Sequence, residues 1–223
     1  MKIGCVLVMY NPQRELLTAS LNALNEQVDE IFLGDNSVNM PDFITTLLNL
    51  YPNTYYHSFN KNLGIAEAQN RGIIYFQKKG FDFVLFMDQD SLAPNNLVSS
   101  LLADYNRLKE IGIPIGGIGP RPFNRGEGKP YIGAVKKGKL ILPKITEVGE
   151  IISSASLIPI PHFKQVGGME SSLFIDGVDH EWCWRAKKIG GWRFFISESV
   201  QLSHQVGEGD RPFIFRKVAI PTP

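Results

Sequence analysis

At 223 residues, 43% of them hydrophobic, the chain is long enough to bury one sizeable core and too apolar to be disordered. Its 23 basic and 22 acidic residues leave a formal net charge of +1, and the basic side chains are scattered, which argues against a nucleic-acid surface. Cys5 and Cys183, the only cysteines, both lie among apolar residues; this excludes a disulfide scaffold and points to free thiols in a reducing compartment, the cytoplasm.

No stretch approaches the ~20 apolar residues of a membrane span, and Ile3 to Met9 is too short for a signal segment, so any membrane contact would be peripheral. Ile3 to Met9 instead predicts a buried strand ending in Tyr10-Asn11-Pro12. Leu16, Leu17, Leu21 and Leu24 then recur at helical spacing. Glu30 to Gly34 is a second strand, leading into Asp35-Asn36-Ser37. A carboxylate there either caps the turn or accepts a hydrogen bond from a nucleobase N–H.

Pro41 opens a helix through Leu50, Thr54 to Phe59 forms a third strand, and Asn60 to Gly64 is a polar turn feeding a helix from Ile65 to about Lys79. Glycine at 64 would let backbone approach a ligand, and the helix start offers N–H groups to an anion. Arg71 on that helix either reaches a phosphate or stays solvated. No phosphate-binding loop or dinucleotide fingerprint follows the first strand, so phosphates would be held by metal.

Phe81 to Met87 is an apolar run of strand length that passes straight into Asp88-Gln89-Asp90-Ser91. Period-two alternation points Asp88 and Asp90 to the same side. Paired carboxylates suit a hard divalent cation, Mg²⁺ or Mn²⁺, whose other ligands are water and phosphate oxygens; the alternative is a surface turn capping the helix that Ala93-Pro94 begins. The carboxyl end of a buried strand is where open α/β sheets bind ligands. Residues 113 to 150, rich in Gly and Pro, predict a loop or hairpin, with Lys136, Lys137 and Lys139 as its solvated part.

The apolar stretch Ile151 to Ile160 carries Ser153, Ser154 and Ser156, and residues 161 to 168 read as one short helix stopped by glycine. Asp176, Asp179, His180, Glu181, Trp182 and Trp184 then crowd one segment. With a helix starting near Val178, Trp182, Cys183 and Ala186 fall on a buried side. Asp179 falls in the first turn, where the helix dipole favours its charge and a general base could sit. The tryptophans offer surfaces on which sugar rings stack, with core packing expected for Trp184. His204 follows a last strand at Trp192 to Ile196. Strands alternating with helices predict a doubly wound, mainly parallel α/β sheet in a single domain, with a nucleotide-binding half (1–111) and an acceptor-side half (112–223).

In this order and spacing, Met9-Tyr10-Asn11, Asp35-Asn36-Ser37, Asn62-Leu63-Gly64 with Ala66, Ala68 and Asn70-Arg71-Gly72, Asp88-Gln89-Asp90-Ser91, Asp179 with Glu181 and Arg185, and His204 resemble the inverting GT-A glycosyltransferases of family 2. The Asp-Gln-Asp-Ser form, with Phe174-Ile175-Asp176 ahead of Asp179 and Glu181-Trp182-Cys183, is similar to its rhamnosyltransferase branch. The family's usual Glu-Asp pair is here Val178-Asp179. The resemblance implies that Asn11 and Asp35 hold the nucleoside, with Tyr10, Asn62, Gly64, Arg71 and Gln89 completing the donor site. It implies Asp88 on ribose or metal, Asp90 on the metal bridging the diphosphate, and His204 on metal or phosphate. Asp179 would be the general base, with Asp176 its competitor, and Asp176, Glu181 and Trp182 would meet the acceptor. The donor would be dTDP-rhamnose or a UDP-sugar, the acceptor a glycan or lipid-linked sugar, and the chain a possible truncation of a longer enzyme. A sugar-1-phosphate nucleotidyltransferase and a non-catalytic nucleotide-sugar module are the competing expectations.

Overall fold

The computed structural model describes residues 1–124, 129–130 and 137–204. Its sheet begins with four parallel strands: β1 (Ile3–Met9), β2 (Glu30–Asp35), β3 (Thr54–Ser58) and β4 (Phe83–Asp88), in spatial order β3-β2-β1-β4. They are joined by α1 (Arg14–Leu24), α2 (Ile44–Leu50) and α3 (Gly64–Lys78), and α4 (Leu97–Glu110) follows β4.

Period-two alternation in β1 divides the core. Cys5, Leu7 and Met9 pack with Leu17 of α1, Ile44 of α2 and Leu97 of α4 on one face, while Val6 packs with Ala66 and Phe76 of α3 on the other. Helices therefore cover both faces, as near-continuous apolar strands demand. Both cysteines are buried and free, and burial pushes the Cys183 thiol up to about 12.

The second half completes the same sheet. β5 (Ile115–Asn124) lies parallel to β10 (Arg193–His204), and a hairpin of β7 (Lys139–Leu142) and β8 (Ile145–Val148) extends it, with the two-residue β6 (Lys129–Pro130) paired to β5. The short β9 (Leu157–Pro159) runs antiparallel between β4 and β5, so the sheet is mixed at its middle. α5 (Ile160–Val166) and α6 (Val178–Gly190) cover the second face, with an exposed 3-10 turn (Ser171–Leu173) between them in sequence.

Three expectations need correction. The glycine- and proline-rich stretch after residue 113 contains a ten-residue central strand, β5. Its glycines are there because neighbours need the room: a Cβ on Gly116 would stand 2.8 Å from the Phe194 ring. The last strand runs on through His204, absorbing register shifts between Arg193 and Phe194 and between Ser197 and Gln201 where it follows the prolines of β5. The helices expected from Pro41 and Ala93 begin later, at Ile44 and Leu97, after turns closed by bonds from Ile44 N–H to the Pro41 carbonyl and from Leu97 N–H to the Pro94 carbonyl.

Candidate active site

Parallel register sets the carboxyl ends of β1, β2 and β4 side by side, with Val8 opposite Asp88 and Met9 opposite Asp35. The turn after β4 is fastened to the turn after β1 by one side chain. Gln89 accepts a bond from the Tyr10 N–H at 2.8 Å and donates to the Tyr10 carbonyl at 3.2 Å, and Ser20 of α1 donates to the Gln89 and Ser91 carbonyls. Asp88 is half-buried and Asp90 exposed.

Tyr10, Asn62, Gly64, Asp88, Gln89 and Asp90 line one open cavity of about 400 Å³ together with Val8, Met9, Asn36, Ile65, Phe174 and Ile175. The sequence reading therefore found half of its wall. The polar clamp it passed over is Asn36, buried at 2% exposure: Oδ1 accepts from the Leu63 N–H and the amide donates to the Gly64 carbonyl, fixing the turn before α3. Phe174 and Ile175, exposed apolar residues on a loop far along the chain, belong to the motif shared with the rhamnosyltransferase branch, but nothing local to them signals that they wall this cavity.

Gly64 lines the cavity and also meets neighbouring backbone closely. Its φ is +81°, and a Cβ there would stand 2.5 Å from the Phe174 carbonyl oxygen; the close approach is to protein, and the same carbonyl accepts the Ala66 N–H. Asn62 accepts the Gly64 N–H at 2.9 Å, so the start of α3 is already capped from three sides.

Asp35 is fully buried. It accepts from the Tyr56 hydroxyl at 2.8 Å and the Ser37 N–H at 2.8 Å, and it does not line the cavity. Burial, and then the Asp35 bond, pushes the Tyr56 hydroxyl up to about 12, which keeps it a donor at neutral pH. Asn11 is exposed at the end of β1 with φ +44°, its N–H bonded to Ser37 Oγ. Arg71 is not brought to the acidic turn. It pairs with Glu67 at 2.7 Å and lines another cavity, of about 440 Å³, between α3 and the 163–169 segment. That cavity is marginally larger, but it lacks the strand-end carboxylates, and the chemistry argues for the first.

β9 supplies what the sequence reading missed. Because β9 runs antiparallel to β4, the residues before it return to the carboxyl end of β4: Ser156 accepts the Phe86 N–H and Ala155 donates to the Phe86 carbonyl. One step on, the Ser154 hydroxyl donates to Asp88 Oδ2, and the Ser153 N–H donates to Asp179 Oδ2 at 2.9 Å. Consecutive Cα atoms stand about 3.8 Å apart. Two neighbouring residues thus tie the acidic turn to the carboxylate that opens α6, whose other oxygen accepts the His180 N–H at 2.9 Å.

The remaining expectations divide. Asp176 is exposed beside Ile175, next to the cavity wall. Glu181 is engaged by Arg185 through two bonds of 2.7 and 2.8 Å, and Arg185 also donates to the Val166 and Gly168 carbonyls, so this pair staples α6 to the end of α5. Trp182 lies on the buried side, as its helical position predicts, and Trp184, expected in the core, is exposed. Trp182 is 1% exposed in the second core cluster, its N–H bonded to the Gly167 carbonyl, and offers no face to a sugar; Trp184 is 58% exposed. Helix phase decides this, since the buried stripe runs through residues 178, 182, 183 and 186. His204 closes β10, and its side chain lies outside the described residues.

Comparison with known proteins converges on this geometry. Residues 5–154, two thirds of the chain, match the sequence profile of glycosyl transferase family 2. The chain belongs to glycosyl transferase family 2. This transferase is also 31% identical, over 216 aligned positions covering 92% of it, to a dTDP-rhamnosyl transferase, RfbF, of Shigella flexneri, and spans 70% of that relative's length. Its fold superposes on GalNAc-T7 solved with UDP, GalNAc and Mn²⁺ (TM-score 0.71, 14% identity) and on S. aureus TarS 1-349 in complex with UDP (TM-score 0.67, 17% identity). Each comparison covers 92% of the transferase, which spans 44% and 61% of those two chains. The architecture is thus that of the GT-A glycosyltransferases.

Proposed function

We propose that the transferase moves a sugar, rhamnose being the first candidate, from a nucleoside-diphosphate donor (dTDP-rhamnose or a UDP-sugar) to a hydroxyl of a glycan or lipid-linked acceptor in cell-surface polysaccharide synthesis. The observation that carries this reading is the Ser153-Ser154 link, which holds a carboxylate at a helix start and a carboxylate of the donor cavity on one short scaffold. The likeness to a dTDP-rhamnosyl transferase supports the donor. One glycosyltransferase domain would act, with residues 1–111 holding the nucleotide and 112–223 forming the acceptor side.

Asp179 takes the proton of the acceptor hydroxyl while that oxygen attacks the anomeric carbon. The new C–O bond forms as the bond to the diphosphate oxygen breaks, and the electron pair leaves on the nucleoside diphosphate. One displacement inverts the centre, so no covalent glycosyl-enzyme arises. Asp88 and Asp90 would hold Mg²⁺ or Mn²⁺, with His204 as a further candidate ligand to metal or phosphate. Two carboxylates on one open cavity fit an ion whose remaining positions go to water and phosphate, and no larger acidic or histidine cluster occurs among the described residues. The ion, when bound, offsets negative charge on the departing diphosphate. No helix among the described residues is long and apolar enough to cross a membrane, and the proposed setting is the cytoplasm with at most peripheral membrane contact.

The test is a transfer assay with dTDP-rhamnose and a set of UDP-sugars against glycan and lipid-linked acceptors, with the anomeric configuration of the product read by NMR. Transfer with inversion is the expected result. Retention of configuration would remove the single-displacement mechanism, and nucleoside triphosphate consumption with pyrophosphate release would move the enzyme to another class.

A further inference from the structure

Trp184 combines two properties that seldom meet in a residue without a partner. Its indole N–H donates to Glu150 Oε2 at 3.3 Å, which fixes the ring by its edge, yet the side chain is 58% exposed. One turn earlier on α6, His180 sets its ring 6.2 Å from the indole and its Nε2 3.9 Å from Asp179 Oδ1. Glu150 in turn begins the segment whose Ser153 holds Asp179 and whose Ser154 holds Asp88. Glu150 and Ser154 also line a small apolar slot of about 40 Å³ with Pro120, Pro122 and Ile151. An anchored indole, a carboxylate at its edge and the proton acceptor are therefore joined through residues 150–154 and the first two turns of α6.

A sugar ring has an apolar C–H face and a rim of hydroxyls, and it needs a flat apolar surface flanked by a hydrogen-bond acceptor. We infer that Trp184 and Glu150 form the acceptor-sugar platform: the ring packs on the indole, Glu150 accepts from its hydroxyls, and a further hydroxyl is presented to Asp179. The inference rests on the glycosyl-transfer reading and adds to it the residues that choose the acceptor.

Intrinsic tryptophan fluorescence tests it without turnover. In the full chain with dTDP and Mn²⁺, a panel of methyl glycosides (rhamnoside, glucoside and N-acetylglucosaminide) is titrated, and at least one should change the emission saturably. Trp184→Phe should abolish the change, because Trp182 is 1% exposed and packed in the core and Trp192 is partly buried, its ring set 3.8 Å from the His162 ring. In the transfer assay, Trp184→Ala should raise the acceptor KM about tenfold and leave donor affinity within about twofold, with Glu150→Gln moving KM in the same direction. Emission unaltered by every glycoside, a change that survives Trp184→Phe, a response to anionic lipid vesicles alone, or an unshifted acceptor KM would each overturn the platform. Failure of the parent reading looks different: glycosides would still report on Trp184 while dTDP-rhamnose and UDP-sugars are not consumed.

Discussion

At the scale of single residues, the proposed chemistry rests on Asp179. Two backbone N–H groups, from Ser153 and His180, hold its carboxylate in place. Asp179→Asn preserves the shape and removes the basicity, so kcat should fall by about 10²- to 10⁴-fold while calorimetry shows unaltered donor binding. Near-full transfer by the folded variant would hand the role to Asp176. The tryptophans separate stability from surface. Trp182→Ala empties a packed site against Phe163 and Phe194 and should cost about 3–5 kcal/mol in denaturant unfolding, whereas Trp184→Ala should stay within about 0.5 kcal/mol. His162 is 7% exposed, with Nε2 2.9 Å from the Ile115 carbonyl, and burial holds its pKa below the ordinary 6.5 despite that bond. The unfolded chain then takes up the proton first. Its contribution is therefore complete above about pH 6.5 and is lost as the pH falls from there through the lowered native value; His162→Gln should flatten that slope in denaturation curves taken between pH 7 and 5.

Among the elements, the segment ahead of β9 bonds both Asp88 and Asp179, and so couples the proposed donor cavity to the proposed base. Ser154→Ala deletes a hydroxyl bonded to the Asp88 carboxyl group. A loss of about 1.5 kcal/mol in Mn²⁺-dependent dTDP binding, roughly tenfold, is expected by calorimetry, with Tm little changed. Unchanged affinity would show that Asp88 holds its orientation without the serine. This device was not legible in the sequence, where Ser153, Ser154 and Ser156 stood as polar residues in an apolar stretch. Their meaning comes from strand direction, because only an antiparallel β9 returns them to the end of β4. β5 was misread for a related reason. Gly116, Gly117, Pro120 and Pro122 signal breaks by local propensity, and the sheet tolerates them because flanking Phe194, Ile151 and Ile158 fill the space. The elements with strong periodicity, such as β1, α3, β4 and the buried stripe of α6, were legible to within two residues.

Across the whole molecule, strand ends from the first half and loops from the second meet at one opening. The acidic turn was legible as part of a cavity wall because a buried strand can end in Asp88-Gln89-Asp90 only where solvent or a ligand meets it. The walls it shares with Phe174 and Ile175 were not, since they depend on how α3 and the turn before α6 pack. Ligand linkage gives a global readout: dTDP with Mn²⁺ at about 100 times Kd should stabilise the fold by about 2.7 kcal/mol, and the same nucleotide with excess chelator should give little of this. An equal Tm rise with and without chelator would dismiss the metal. The contribution of Phe174 and Ile175 to the cavity also bears on the order of events during synthesis. The first four strands can pair while the ribosome is still translating, but this cavity lacks one wall until residue 175 has left the exit tunnel. On the proposed function, donor capture would then wait for the segment that also carries Asp179, and a nascent chain would not sequester activated sugar before it could transfer it.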